Sequence, residues 1–198
     1  MVTEPFDLRS AALAALLPPG VAIERAAETV PSVPGLYAVH GSASTWRALG
    51  LGDPPDERPL YVGKAEKSLA SRDVRTHFST GKTGSSTLRR SVAALLRDEL
   101  DLVACPRNVS KPGHFANFGL EPASDERVSK WMLELLFLTT WSSPAGTVLD
   151  EVETAVLAVL RPPLNLAKVD TPWRRGLKAA RSRMAGEARG WQSAERCR

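Results

Sequence analysis

Two tyrosines stand beside glycines in short motifs, Gly35-Leu36-Tyr37 and Tyr61-Val62-Gly63, and each motif reads as part of a strand. Taken singly, either is a half-buried aromatic with a wet hydroxyl. On neighbouring strands, the pair projects two phenols toward one site. Gly63 permits a close backbone approach, or a φ closed to other residues. Lys64 follows at a strand-to-helix junction, where a phosphate is readily met. Arg72 and Arg75 lie one turn apart on the next expected helix, with His77 near its end. A guanidinium fork matches two phosphate oxygens and stays charged at any relevant pH. The plainer reading is solvent-facing helical charge. Arg72 and His77 are about 140° apart around an ideal helix, so they share a site only if that helix ends or becomes irregular.

Glu153 is the most informative single residue. It precedes Val156, Leu157 and Leu160 by three, four and seven positions, on or beside an apolar helical stripe. A carboxylate so placed needs a partner, because an isolated buried charge costs several kcal/mol. An intramolecular arginine would serve; the other reading is a ligand for a divalent cation, with hard oxygen suiting Mg²⁺. Asn165 follows Pro162-Pro163-Leu164, where its amide either caps a turn or braces a site. Gly81-Lys82-Thr83 resembles the end of a phosphate-binding loop, but Thr76 stands where that loop needs glycine. Cys105 and His114 have no metal-ligating companions at useful spacing.

These residues require particular elements to carry them. Residues 35–40 and 60–63 predict two strands joined by a Pro-rich loop, an antiparallel pair with Leu36, Ala38 and His40 on one face. Helices are expected over 7–17, 68–77, 85–100, 124–136 and 147–160, the last stopped by Pro162-Pro163. A third strand is expected over 136–141, and a final basic helix over 171–188. Residues 105–121 read as loop with one strand at most. The layout is α+β: an N-terminal helical extension (1–30), a central domain (31–170) with an insertion at 81–141, and a basic C-terminal helix or tail (171–198).

The chain has 198 residues, 43% of them hydrophobic and 24% charged, which suits a folded domain with appendages and excludes a mostly disordered chain. No apolar run approaches the roughly 18 residues of a membrane span. The acidic start is not a secretory signal, and the two distant cysteines make a reducing cytoplasm the expected location. Charge is uneven. Residues 171–198 carry eight basic side chains against Glu187 and Glu195, and residues 61–90 carry seven against Glu66 and Asp73. Two cationic segments on a nearly neutral body point to a polyanion partner.

In order, Gly35-Leu36-Tyr37, Tyr61-Val62-Gly63, an Arg-bearing helix, Glu153, and Asn165 after a double proline resemble the GIY-YIG nuclease family. The resemblance implies a small three-stranded antiparallel sheet flanked by helices, and Mg²⁺- or Mn²⁺-dependent hydrolysis of DNA phosphodiesters. It implies that Tyr37 assists or acts as general base on the attacking water, and that Tyr61 lies near the scissile phosphate. Arg72 would stabilise the transition state, with Arg75 competing for that role, and His77 would stand beside the first tyrosine. Glu153 would be the metal ligand, and Asn165 would brace the site. Lys64, Arg75, Lys82, Arg89, Arg174, Arg175 and Lys178 are the candidate nucleic-acid contacts. The expected activity is a DNA endonuclease leaving 5′-phosphate and 3′-hydroxyl ends, in restriction or defence, repair, or a mobile element. The alternative is a non-catalytic DNA-binding protein that retains the fold. A chance match on an RNA- or partner-binding domain is the third reading. Oligomeric state is not legible.

Overall fold

A computed structural model describes residues 5–70, 77–108, 110 and 113–191. Its centre is an antiparallel sheet in the order β1 (Val21–Ala22), β6 (Leu136–Ser142), β2 (Gly35–Gly41), β3 (Tyr61–Ala65). The three expected strands are all present, and the two-residue β1 adds a fourth at one edge. Strand β2 pairs with β3 in the register Tyr37↔Gly63 and Val39↔Tyr61, and with β6 in the register Tyr37↔Thr140. Residues 35–40 of β2 are all buried, because both faces of the sheet are covered.

One face packs against α1 (Pro5–Ala15) and α6 (Leu149–Leu160). There Leu36, Ala38 and Val62 meet Ala12, Leu16, Val152, Val156 and Leu160. The other face carries Tyr37, Val39 and Ala65. It is covered by α2 (Ile23–Thr29), α3 (Ala43–Ala48), α4 (Thr87–Leu95), α5 (Pro122–Leu135) and α7 (Arg174–Gly190). A two-stranded ladder of β4 (Ala104–Cys105) and β5 (Gly119–Leu120) lies between α4 and α5 in sequence.

Local chemistry sets the helix ends. Ser86 caps α4, its Oγ accepting the Arg89 backbone N–H at 3.0 Å. Pro122 opens α5, where a missing N–H costs nothing. Arg161, at φ 44°, ends α6 in the left-handed conformation just ahead of Pro162-Pro163.

One expected boundary shifts. Strand β6 lies between β1 and β2, so residues 136–141 belong to the sheet and not to an insertion. The final basic helix expected over 171–188 is present at residues 174–190, docked on the core through Leu177, Met184 and Ala188. Residues 192–198 lie outside the described residues. Among the described residues, no helix is long and apolar enough to cross a membrane.

Candidate active site

The register of β2 and β3 puts Tyr37 and Tyr61 on the same face of the sheet, with ring centroids 6.1 Å apart. His77 completes the cluster, 5.5 Å from the Tyr37 ring and 6.2 Å from that of Tyr61. The Tyr37 hydroxyl and His77 Nε2 are hydrogen-bonded at 2.6 Å, and His77 Nδ1 and Ser86 Oγ at 2.6 Å. With a proton on Nδ1, His77 donates to Ser86 and Nε2 accepts from the phenol; in the other tautomer both bonds reverse. Tyr37 and His77 are only 1% and 3% exposed, so this relay runs through the interior. Tyr61 is half-buried.

Gly63 explains its place in the motif. A Cβ there would sit 2.5 Å from Tyr37 Cζ and closer still to the hydroxyl. The glycine serves close approach of a side chain; its φ is not positive.

Behind the relay lies a buried ion pair. Arg89, wholly buried, donates from Nη2 to Asp125 Oδ1 at 3.1 Å and to Ser129 Oγ at 2.9 Å. Its Nη1 donates to the His77 carbonyl at 3.2 Å. Asp125 also accepts from the Gly81 backbone N–H and the Thr83 hydroxyl. Arg89 therefore has no surface to offer a DNA phosphate, which corrects its assignment as a nucleic-acid contact. It holds the backbone that carries His77.

Glu153 sits on α6, the helix whose apolar side packs on the other face of the sheet. Its side chain is 12% exposed and its partner is a lysine, not an arginine: Lys168 Nζ donates to Glu153 Oε2 at 2.9 Å. The same ammonium donates to Asp150 Oδ1 at 2.7 Å, and Lys64 Nζ donates to Asp150 Oδ1 at 2.8 Å. Hydrogen bonds from Lys168 and Lys64 hold the Asp150 carboxyl down at about 2. The Lys64 ammonium's own hydrogen bonds to Asp150 and Glu66 push it up, so Lys64 is already committed to carboxylates. Helix α6 and the phenols thus meet β3 from its two sides, and the Asp150–Lys64 bond ties α6 to that strand.

Two carboxylates one turn apart on α6 converge on a single cation here, so the donor chemistry fits a hard divalent ion. Among the described residues no group of three or more His, Cys, Asp or Glu side chains is disposed to hold a metal. An ion at Glu153 would take its remaining ligands from water and substrate oxygens.

Asn165 bonds to β3 with both amide atoms. Val62 N–H donates to Oδ1 at 2.9 Å, and Nδ2 donates to the Val62 carbonyl at 2.8 Å. The adjacent Leu164 N–H donates to the Leu60 carbonyl at 3.0 Å. The brace acts on the strand that bears Tyr61.

Of the remaining candidates, Lys82, Arg175 and Lys178 are exposed. Arg174 spends its Nη1 on the carbonyls of Leu166 and Val169, at 2.8 and 2.6 Å. Arg72 and Arg75 lie outside the described residues. Ser86 and Lys168 were not legible as site residues. The serine carried one usable signal, its position at the start of a helix, whereas nothing near Lys168 in the chain marks it.

No curated protein and no solved structure matches the chain. A family profile described as the GIY-YIG catalytic domain matches residues 54–183, from the loop before β3 into α7. That span holds Tyr61, His77, Glu153 and Asn165, and stops short of the Gly35-Leu36-Tyr37 strand, which the sheet register supplies. It covers well over half of the sequence, and the chain belongs to the GIY-YIG nuclease family.

Proposed function

We propose that the protein is a DNA endonuclease that hydrolyses phosphodiester bonds with one Mg²⁺ or Mn²⁺ ion held by Glu153. The observation that carries this reading is the buried Tyr37–His77–Ser86 chain, two hydrogen bonds of 2.6 Å each. An unassisted phenol, with a pKa near 10, is a poor base at neutral pH. His77 changes that. Once the bound strand admits water to the buried phenol, the Tyr37 oxygen takes a proton from it while His77 Nε2 takes the phenol's own proton, and Ser86 fixes the imidazole through Nδ1. Tyr61 presents its hydroxyl beside them at the edge strand. A divalent ion on Glu153 would supply the Lewis acidity that a slow phosphodiester hydrolysis requires. Arg72 or Arg75 would add fixed positive charge to the transition state. Exposed Lys82, Arg175 and Lys178 would hold the strand electrostatically. The role within cells is restriction or defence, or repair, in the cytoplasm.

One observation favours a second reading, a DNA-binding protein that keeps the fold without turnover: Lys168 already neutralises Glu153. Incubation of plasmid with the protein and Mg²⁺ separates the two. Wild type should nick or cut, leaving 5′-phosphate ends. Glu153→Gln and Tyr37→Phe should not cut, while DNA affinity stays within a few-fold. Discrete bands would mean site-specific cleavage. Retarded but uncut DNA across varied substrates, or full cleavage by Glu153→Gln, would overturn the proposal.

A further inference from the structure

Arg90 follows Arg89 on α4 and differs from it in one respect: it has no acid. It is 6% exposed. Its Nη1 donates to the carbonyls of Gly84 and Thr83 at 2.8 and 3.4 Å, and its Nη2 to Thr87 Oγ1 at 3.3 Å. Its Nε is buried without any hydrogen-bond partner. Two further guanidinium side chains close on it. The stem of Arg107 lies over Gly84, so that a Cβ at that glycine would be 2.6 Å from Arg107 Cγ. Arg181 reaches in from α7, half-buried.

Among the described residues none of the three pairs with a carboxylate. Burial, and repulsion from Arg181 and Arg107, push the Arg90 guanidinium down to about 10. Burial lowers Arg181 as well. Among the described residues, the acidic group that favours the charge on both Arg90 and Arg181 is the Tyr61 phenol in its ionised form. Three like charges from three segments, the innermost desolvated and with an unused N–H, are tolerated where an anion completes the set. Guanidinium forks select a planar pair of oxygens, as on a phosphate.

We propose that Arg90, Arg107 and Arg181 form a phosphate-binding subsite beside Tyr61 that takes a backbone phosphate of the bound DNA strand. The subsite deepens the nuclease reading and rests on it for the identity of the strand. It places the DNA against the α4–α7 side of the sheet, where Tyr61, His77 and Tyr37 lie.

The test uses the full chain and two kinds of probe. First, inorganic phosphate alone should raise the melting temperature of wild type, and Arg181→Gln and Arg107→Gln should lose most of that rise. Second, binding of a labelled duplex is measured without divalent ions from 50 to 200 mM salt. Each variant should weaken binding several-fold at the lower salt, and the slope of log K against log [salt] should shrink by up to about 0.9, the value for one phosphate contact. Arg90→Gln should lose the most, and the other two variants carry the test if it does not fold. Wild-type phosphate stabilisation and salt slope retained in both Arg181→Gln and Arg107→Gln would overturn the subsite, even if the enzyme cuts DNA. Arginine-dependent phosphate binding in a protein that cuts nothing would uphold the subsite while the nuclease reading failed.

Discussion

Replacing Asp125 with alanine tests the interior on which the relay depends. The carboxylate accepts from Gly81 N–H, the Thr83 hydroxyl and Arg89 Nη2, and both charged partners are sealed, Arg89 fully and the Asp125 side chain to within 3%. Without it, Arg89 keeps the Asp125 carbonyl, Ser129 and the His77 carbonyl as acceptors but has no counter-charge. Stranding one member of a buried pair costs about 3–5 kcal/mol. That is a large share of the roughly 5–15 kcal/mol by which a domain is stable. With a urea m-value of about 2.5 kcal/mol/M for a chain of this size, the unfolding midpoint should fall by about 1–2 M. The slope itself should not change. Arg89→Met combined with Asp125→Leu removes both charges and should recover most of the loss, because a well-packed apolar pair replaces an ion pair at little cost. Activity is a separate readout. Arg89 holds the His77 carbonyl and its backbone N–H holds Ser86, so folded Asp125→Ala should also turn over more slowly. A midpoint within about 0.4 M of wild type, which is about 1 kcal/mol, would refute the account of this pair.

Gly63→Ala pushes a methyl group into the Tyr37 phenol and should destabilise by about 1–3 kcal/mol, read as a lower melting temperature, with activity lost beyond the loss of folded protein. Asn165→Ala leaves Val62 N–H and C=O without partners and should cost on the order of 3 kcal/mol in urea unfolding. His40 is held down to about 4 by burial, although its bond to the Leu16 carbonyl opposes that. The unfolded chain therefore binds the extra proton first: stability should be full above about pH 6.5 and decline by about 3 kcal/mol as pH falls to about 4. His40→Gln should flatten that pH dependence in urea midpoints measured across the window.

Much of the sheet was legible because strands β2 and β3 advertise themselves locally, β2 with β-favouring residues between bounding glycines and β3 with a tyrosine and valine leading into glycine. Once those strands pair antiparallel, a shared face for Tyr37 and Tyr61 follows from register alone. The helix over 149–160 was equally plain from its apolar spacing and the double proline that stops it. What escaped depends on partners distant in the chain. Arg89 is indistinguishable from a surface arginine until Asp125, 36 residues on, is seen to meet it. Glu153 announced that it needed a partner, but Lys168 lies beyond a proline stop where periodicity carries no information. Short elements such as α3, with six residues, and the two-residue strands offer too few positions for any period to emerge. The side of the sheet that α6 takes was hidden for a related reason: a helix's apolar stripe says that it packs on a sheet, not on which side.

The Asn165 bracket on Val62 has a consequence for how the molecule behaves in company. A sheet margin with unspent backbone donors and acceptors is a template on which a second chain can add a strand, and such margins seed aggregation. Here a side-chain amide impersonates the missing neighbour along β3, and the far margin shrinks to two residues. The β3 margin thereby loses part of its capacity to recruit a neighbouring strand.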